Sequence, residues 1–323
     1  MPPEAGEVRE AGLVWYPDSE PGIRRERRGR GFSYIAPDGT RIARGPERAR
    51  LEGLGVPPAY RGVWMAPRPD AHLQATGRDA SKRKQYRYHP DWAEMRARAK
   101  FDRLPEFARA LPDVRDWVEE TLKGEPGTHD FAVATILRLV DASAMRIGTA
   151  GNSSAFGATT LRREHAEVGH SRIELDYVAK GGQRVRKRLT DRLLARALHA
   201  VDDLPGRRLA VWRNGEETHG VSSGAVNERL SALAGEGMTA KTFRTWTGTL
   251  AAFEVAETAE GDATVAAMAE AAAERLHNTP AIARRAYVHP AGSDLAGGPG
   301  PTGLRGGPRG LSGAERRLAA FLS

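Results

Sequence analysis

A phenol attacks phosphorus poorly unless cations hold its charge, because its reference pKa lies near 10. Tyr287 stands where cations are close, three residues after Arg284 and two after Arg285 in the run Asn278-Thr279-Pro280 through Tyr287-Val288-His289-Pro290. Upstream basic groups that could serve the same centre are Arg146, Lys180 and Arg244. Phosphoryl transfer puts charge on non-bridging oxygens and calls for fixed donors. Arginine forks supply such donors, always protonated. A lysine can protonate a departing oxygen, and an amide such as that of Asn278 can donate to a phosphate. Together these residue types point to covalent chemistry on a phosphodiester.

The elements that must position them read as follows. Thr279 is an N-cap and Pro280 the first helical residue, so Tyr287 falls about two turns in, and Pro290 stops the helix. Phe131 to Ile147 carries apolar residues at a helical period. Gly148 reads as its C-cap, which puts Arg146 in the last turn. Ile173, Leu175 and Tyr177 alternate with charged residues, and a return strand carries Val185 and Leu189. Gly181-Gly182 between them signals a hairpin with Lys180 at its tip. Ser222 or Ser223 caps a helix over Ala225 to Leu233. Thr242 caps another from Phe243 to about Glu257, which would put Arg244 in the first turn. Ala263 to Leu276 is helical.

Residues 1–90 read as strand and turn. Phe32–Ala36 and Thr40–Ala43 flank the turn Pro37-Asp38-Gly39 and read as a hairpin. Gly62–Ala66 is a further strand, and His72–Thr76 could pair with Lys84–His89. Helical texture begins at Pro90-Asp91. Residues 291 to about 312 are rich in glycine and proline and read as a flexible tail, with a small amphipathic helix possible over Gly313–Leu322. The expected fold class is α+β. A small β-rich domain (1–90) precedes a larger, mostly helical domain (91–290), and a Gly/Pro-rich tail (291–323) follows. Trp246 reads as core.

The chain has 323 residues and a formal net charge of +8, enough for two domains and a polyanionic partner. It contains no cysteine, which excludes disulfides, thiolate catalysis and zinc–thiolate sites. No apolar run reaches a membrane span, and Met1-Pro2-Pro3-Glu4 lacks a signal-peptide pattern. The expectation is a cytoplasmic protein.

Around each candidate the sequence resembles the type IB DNA topoisomerases, in particular the small poxvirus-like bacterial forms. The matching segments are Met145–Gly148, Phe156–Leu161, Val178–Gly181, Lys241–Thr249 and Asn278–Pro290. Gly77–Tyr88 resembles the family's DNA-contacting segment. The resemblance runs in order from about residue 10 to 290. It implies catalytic roles for Tyr287, Arg146, Lys180, Arg244 and Asn278, the last where poxvirus members carry histidine; His277, one residue earlier, is out of register. It implies DNA contacts from Gln85, Tyr86, Tyr88, Lys241, Arg78 and Lys84. Departures are a shorter segment after Arg146 (Thr149–Ala155), Ser81-Lys82 where lysine then glycine is common, and Thr242 where aspartate is frequent.

The resemblance also implies a reaction. Tyr287 would form a 3′-phosphotyrosyl link, the 5′-hydroxyl strand would rotate, and religation would follow without ATP, metal or other cofactor. The implied substrate is duplex DNA, preferably supercoiled. The enzyme would be a monomer with no membrane association and no obligatory protein partner. A tyrosine site-specific recombinase shares most of this set, but typically carries histidine three residues before the second arginine, where Lys241 stands. A non-enzymatic DNA-binding protein is a third reading, opposed by the intact set of five side chains.

Overall fold

The structure, a computed structural model, describes residues 5–149, 155–259, 263–298, 300–301 and 303–323. The chain forms two compact units that divide between Ala99 and Lys100. The first contains α1 (Ala5–Glu10), β1 (Ile23–Arg28), β2 (Gly31–Ile35), α2 (Pro46–Gly53), β3 (Arg61–Met65), β4 (Leu73–Arg78) and β5 (Lys84–Tyr88). The strands make one sheet in the order β2-β1-β3-β4-β5, with antiparallel neighbours throughout. Its core joins Ile23, Tyr34, Val63, Met65 and Ala75 to Leu51 of α2.

Two expectations for this unit change. Phe32–Ala36 pairs chiefly backwards, Arg24 lying opposite Ile35 and Arg28 opposite Gly31. Thr40–Ala43 contributes only a bridge from Arg41 to Ile35. β1 is Ile-Arg-Arg-Glu-Arg-Arg, and only Ile23 is buried, so no apolar alternation marks it as a strand. The helical texture at Pro90 starts α3 (Pro90–Asp102) rather than the second unit: the helix runs through the division, ten residues past the expected boundary.

The second unit contains α4 (Leu104–Thr121), α5 (His129–Ser143), β6 (Ala166–Val168), β7 (Arg172–Val178), β8 (Arg184–Thr190), α6 (Arg192–His199), β9 (Val211–Asn214), β10 (Glu217–Gly220), α7 (Ser223–Ala234), α8 (Ala240–Thr258), α9 (Val265–Leu276), α10 (Pro280–Tyr287), α11 (Pro290–Ser293) and α12 (Gly313–Leu322). β6, β7 and β8 form an antiparallel sheet, and β9 and β10 a separate hairpin. α5 is buried on nearly every face, as a helix apolar all round must be. Phe107 of α4 packs edge-on against Phe243 and Trp246 of α8, at 5.1 and 6.2 Å between ring centres. Trp246 is thus core. The architecture is α+β, a β-sheet region followed by a helical catalytic core.

The segment expected as a flexible tail carries more structure than its composition suggests. Ser312 and Glu315 cap α12 reciprocally, and Leu311, Leu318 and Ala319 are buried. Glu315 is 6 % exposed. It pairs with Arg115 at 2.8 Å and accepts from Trp246 Nε1 at 3.3 Å, while Arg115 also holds Asp141 at 2.8 Å. Glycine and proline dominate the linker, but the apolar residues beyond it bury enough surface to dock a helix.

Candidate active site

The chain reverses at two helix ends to bring the site together. α5 stops at Ser143 because Ala144 turns left-handed (φ 51°). Met145 to Gly148 therefore lie outside the helix, and Arg146 is a loop residue, not a last-turn residue. α9 stops at Leu276 in the same way, with His277 at φ 49°. A non-glycine residue in this region costs roughly 1–2 kcal/mol, so the surroundings must hold both bends. Across the gap Arg146 Nη2 donates to Asn278 Oδ1 at 2.6 Å.

The Arg146 loop is pinned by Gly157. Ala158 N donates to Arg146 O at 2.9 Å and Thr159 N to Ile147 O at 2.8 Å. A Cβ at Gly157 would lie 2.5 Å from both Arg146 O and Gly148 N, so only glycine admits this approach. The shortened loop expected over Thr149–Ala155 falls largely on residues 150–154, which lie outside the described residues.

Arg244 sits at the centre and is 3 % exposed. Its helix starts earlier than expected. Thr239 is the N-cap of α8, and Thr242 answers it from the third helical position, so Lys241 rather than Arg244 occupies the first turn. Arg244 spends its fork on the backbone. Nη1 donates to Ala144 O, and Nη2 donates to Leu276 O at 3.1 Å. Its Cζ lies 4.9 Å from the centre of the Tyr287 ring. Burial lowers the Arg244 pKa from its ordinary value, the phenol of Tyr287 opposing that shift.

Tyr287 ends α10, whose N-cap Thr279 accepts from Ile282 N. The helix stops at Tyr287 itself, before Pro290, which instead opens the short α11 capped by His289. Tyr287 is 8 % exposed and packs with Ala144 and Leu276. Burial alone would raise its pKa; the charges of Arg244, Arg146 and Lys241 outweigh that and bring it below its ordinary value. Gly248 of α8 lets the two helices touch, since a Cβ there would lie 2.8 Å from Tyr287 O. Thr249 Oγ1 donates to the same carbonyl at 3.1 Å.

Two donors at this centre have no partner among the described residues. Arg244 Nε and Asn278 Nδ2 are both buried and unsatisfied. An unmade buried hydrogen bond costs about 1–3 kcal/mol, so a pair of them marks a place built for acceptors from outside. Asn278, not His277, holds Arg146. His277 instead lines a small cavity with Met145, Tyr177 and Ala179, and burial lowers its pKa, the Lys187 and Arg244 charges adding to the effect.

Lys180 lies where the hairpin reading put it, exposed in the turn closed by Ala179 N donating to Gln183 O at 2.7 Å. Its neighbour Ala179 lines the same cavity as Arg146, but Lys180 itself has no hydrogen bond to the other four among the described residues. Four of the five catalytic candidates are thus gathered, and the fifth sits on an exposed loop beside them.

Sequence reasoning missed two lysines. Lys187 Nζ donates to Ser143 O at 2.5 Å and Arg275 O at 3.0 Å. Lys100 Nζ donates to Ala286 O at 2.9 Å, and burial, then the charges of Lys241 and Arg285, lower its pKa to about 8. Lys187 carried a signal: it shares the inward alternation of Val185 and Leu189.

In the first unit, Tyr86 and Tyr88 project from edge strand β5, 48 and 42 % exposed, with rings parallel at 6.0 Å. Lys84 shares their face and pairs with Asp18 at 2.5 Å. Gln85 points to the opposite face and donates to Asp79 at 2.9 Å, while Arg78 donates to Lys82 O at 3.1 Å. The four expected contacts on β5 therefore divide between its two faces, while Arg78 ends the neighbouring β4 and Lys241 lies in the first turn of α8.

Comparison with known proteins agrees with this architecture. Residues 31–79 match the model of the bacterial DNA topoisomerase IB N-terminal domain, and residues 80–283 that of the eukaryotic DNA topoisomerase I catalytic core. The second match spans most of the chain and stops just before Tyr287. The chain belongs to the type IB DNA topoisomerases, enzymes that relax DNA. It is 26 % identical over 285 residues to the DNA topoisomerase 1B of Acanthamoeba polyphaga mimivirus, covering 83 % of this chain and 85 % of that relative. Among the described residues no helix is long and apolar enough to cross a membrane.

Proposed function

We propose that this enzyme relaxes supercoiled duplex DNA through a 3′-phosphotyrosyl intermediate on Tyr287. Tyr287 Oη attacks the phosphorus and loses its proton, and the bond to the 5′ oxygen breaks with Lys180 protonating that oxygen. The free 5′-hydroxyl strand rotates about its intact partner, then attacks the phosphotyrosine and expels the phenol. One phosphodiester is exchanged for another, so the step needs no ATP. The charges a metal would offset are met by Arg146, Arg244 and the amide of Asn278. The proposed enzyme acts as a monomer in the cytoplasm, on the nucleoid, with Lys241, Lys84, Arg78, Gln85, Tyr86 and Tyr88 on the DNA.

The observation that carries this reading is the placement of Tyr287. It is buried beneath the Arg244 guanidinium, its pKa is lowered by three cations, and two unpartnered donors lie at the same centre. The test is relaxation of negatively supercoiled plasmid in EDTA without ATP, with wild type beside Tyr287→Phe. Wild type should relax the plasmid, and Tyr287→Phe should bind DNA yet form no covalent adduct. Relaxation by Tyr287→Phe would remove Tyr287 as nucleophile.

A further inference from the structure

We infer that Lys187 is a positioning residue for the strand-cleavage reaction: together with Arg244 it clamps the left-handed ends of α5 and α9, so that Arg146 and Asn278 meet. The inference rests on the phosphotyrosyl reading above.

The contacts follow one rule at both helix ends. Arg244 takes the carbonyl two residues before each reacting side chain, Ala144 O before Arg146 and Leu276 O before Asn278. Lys187 takes the carbonyl three residues before each, Ser143 O and Arg275 O. Two cations from two elements, β8 and α8, thus divide four carbonyls between them, an adjacent pair at each helix end, and the side chains that leave those bends touch at 2.6 Å. The last carbonyls of a helix lack intrahelical partners and carry the negative end of the helix dipole, so a cation there answers both helices at once.

Packing alone does not account for a lysine here. Val185 and Leu189, its neighbours on the inward face of β8, are buried hydrophobics. Among the described residues Lys187 forms no ion pair, and burial, then the charges of Arg244 and Arg275, lower its pKa to about 8. An inward ammonium with no counter-charge is an expensive substitute for valine or isoleucine unless its donors are needed. What they hold is the pair of strained bends that deliver Arg146 and Asn278.

The experiment is a double-mutant cycle on single-turnover covalent cleavage of a duplex, with DNA affinity and melting temperature measured alongside. Lys187→Met keeps the length of the stem and removes the donors. It should slow cleavage about 10- to 100-fold, the scale of a sub-ångström to one-ångström misplacement, with DNA affinity within about twofold of wild type. Lys187→Arg, a cation with donors for both carbonyls, should recover much of the rate. In an Asn278→Ala background Lys187→Met should cost clearly less than in wild type, because only Arg146 is then left to be positioned. Wild-type cleavage by Lys187→Met would overturn the inference. So would an equal loss with and without Asn278, or losses of melting temperature and DNA affinity that track the loss of rate. If Lys187→Met does not fold, Lys187→Gln enters the same cycle under the same criteria, and failure of both to fold assigns the residue to stability and overturns the inference. Failure of the underlying reading looks different: Tyr287→Phe would still trap DNA covalently. Failure of the Lys187 inference leaves Tyr287→Phe dead, Asn278→Ala slow and Lys187→Met fast.

Discussion

Adding one methyl group at Gly248 should disable the site while leaving the protein folded. A Cβ there would lie 2.8 Å from Tyr287 O, 2.9 Å from Tyr287 Cβ and 2.9 Å from Leu276 Cδ1. The leucine methyl can rotate away. The carbonyl cannot, because Thr249 Oγ1 donates to it at 3.1 Å and accepts from His289 N at 3.1 Å. Restoring an ordinary contact of 3.4 Å moves the Tyr287 backbone by about 0.6 Å. Alanine gains roughly 1 kcal/mol of helix propensity over glycine, and overpacking costs about 1–3 kcal/mol, so net stability should change by no more than about 2 kcal/mol. The phenol, carried on that backbone, loses alignment, and covalent cleavage should slow about 10- to 100-fold. Single-turnover trapping of the protein–DNA adduct measures the rate, and thermal melting controls for folding. A Gly248→Ala variant that cleaves at the wild-type rate would refute the claim that the α8–α10 contact sets the position of Tyr287.

Lys180→Ala should slow cleavage by about 10²- to 10⁴-fold, the usual worth of a general acid, and a DNA with a better 5′ leaving group should rescue it; absence of rescue in a cleavage time course removes that role. Glu315, whose pKa burial would raise but Arg115, the Ser312 backbone and Trp246 together lower from 4.5 to about 2, should contribute roughly 3 kcal/mol of stability that is complete above pH 4.5 and is lost as pH falls toward 2. Melting temperature against pH for wild type and Glu315→Gln checks this, since the variant should lack that part of the acid dependence.

What the sequence shows and hides follows from how local each signal is. The hairpin under Lys180 is written in the alternation Ile173, Leu175, Tyr177 and in two adjacent glycines that take φ 91° and 78°, so its tip was legible. α10 was legible from Thr279-Pro280. The ends of α5 and α9 were not. Ala144 and His277 are ordinary residues that turn left-handed where cations from β8 and α8 hold the adjoining carbonyls, and no local pattern carries that information. The apolar period continues past the true helix end because Ala144 is buried and Ile147 packs against the core from the loop, as they would from a helix. Capping at Thr239 rather than Thr242 escaped because either threonine satisfies the local rule; the reciprocal bonds between them decide it. β1 hid because an exposed strand rich in arginine has no apolar face to declare.

The buried guanidinium of Arg244 has an evolutionary consequence. The residue proposed to face the phosphate is also a strut, its two terminal nitrogens committed to the carbonyls of Ala144 and Leu276. Tyr287 contributes its ring to a small cluster of side chains, where phenylalanine would fit as well. Selection for a folded catalytic unit is therefore also selection for arginine at position 244, and it places no such demand on the phenol oxygen. A descendant that gave up strand cleavage would lose the hydroxyl at 287 by drift long before it lost the guanidinium. In this architecture the proposed nucleophile is the dispensable ornament, and the arginine is the heirloom that an inactive descendant would still carry.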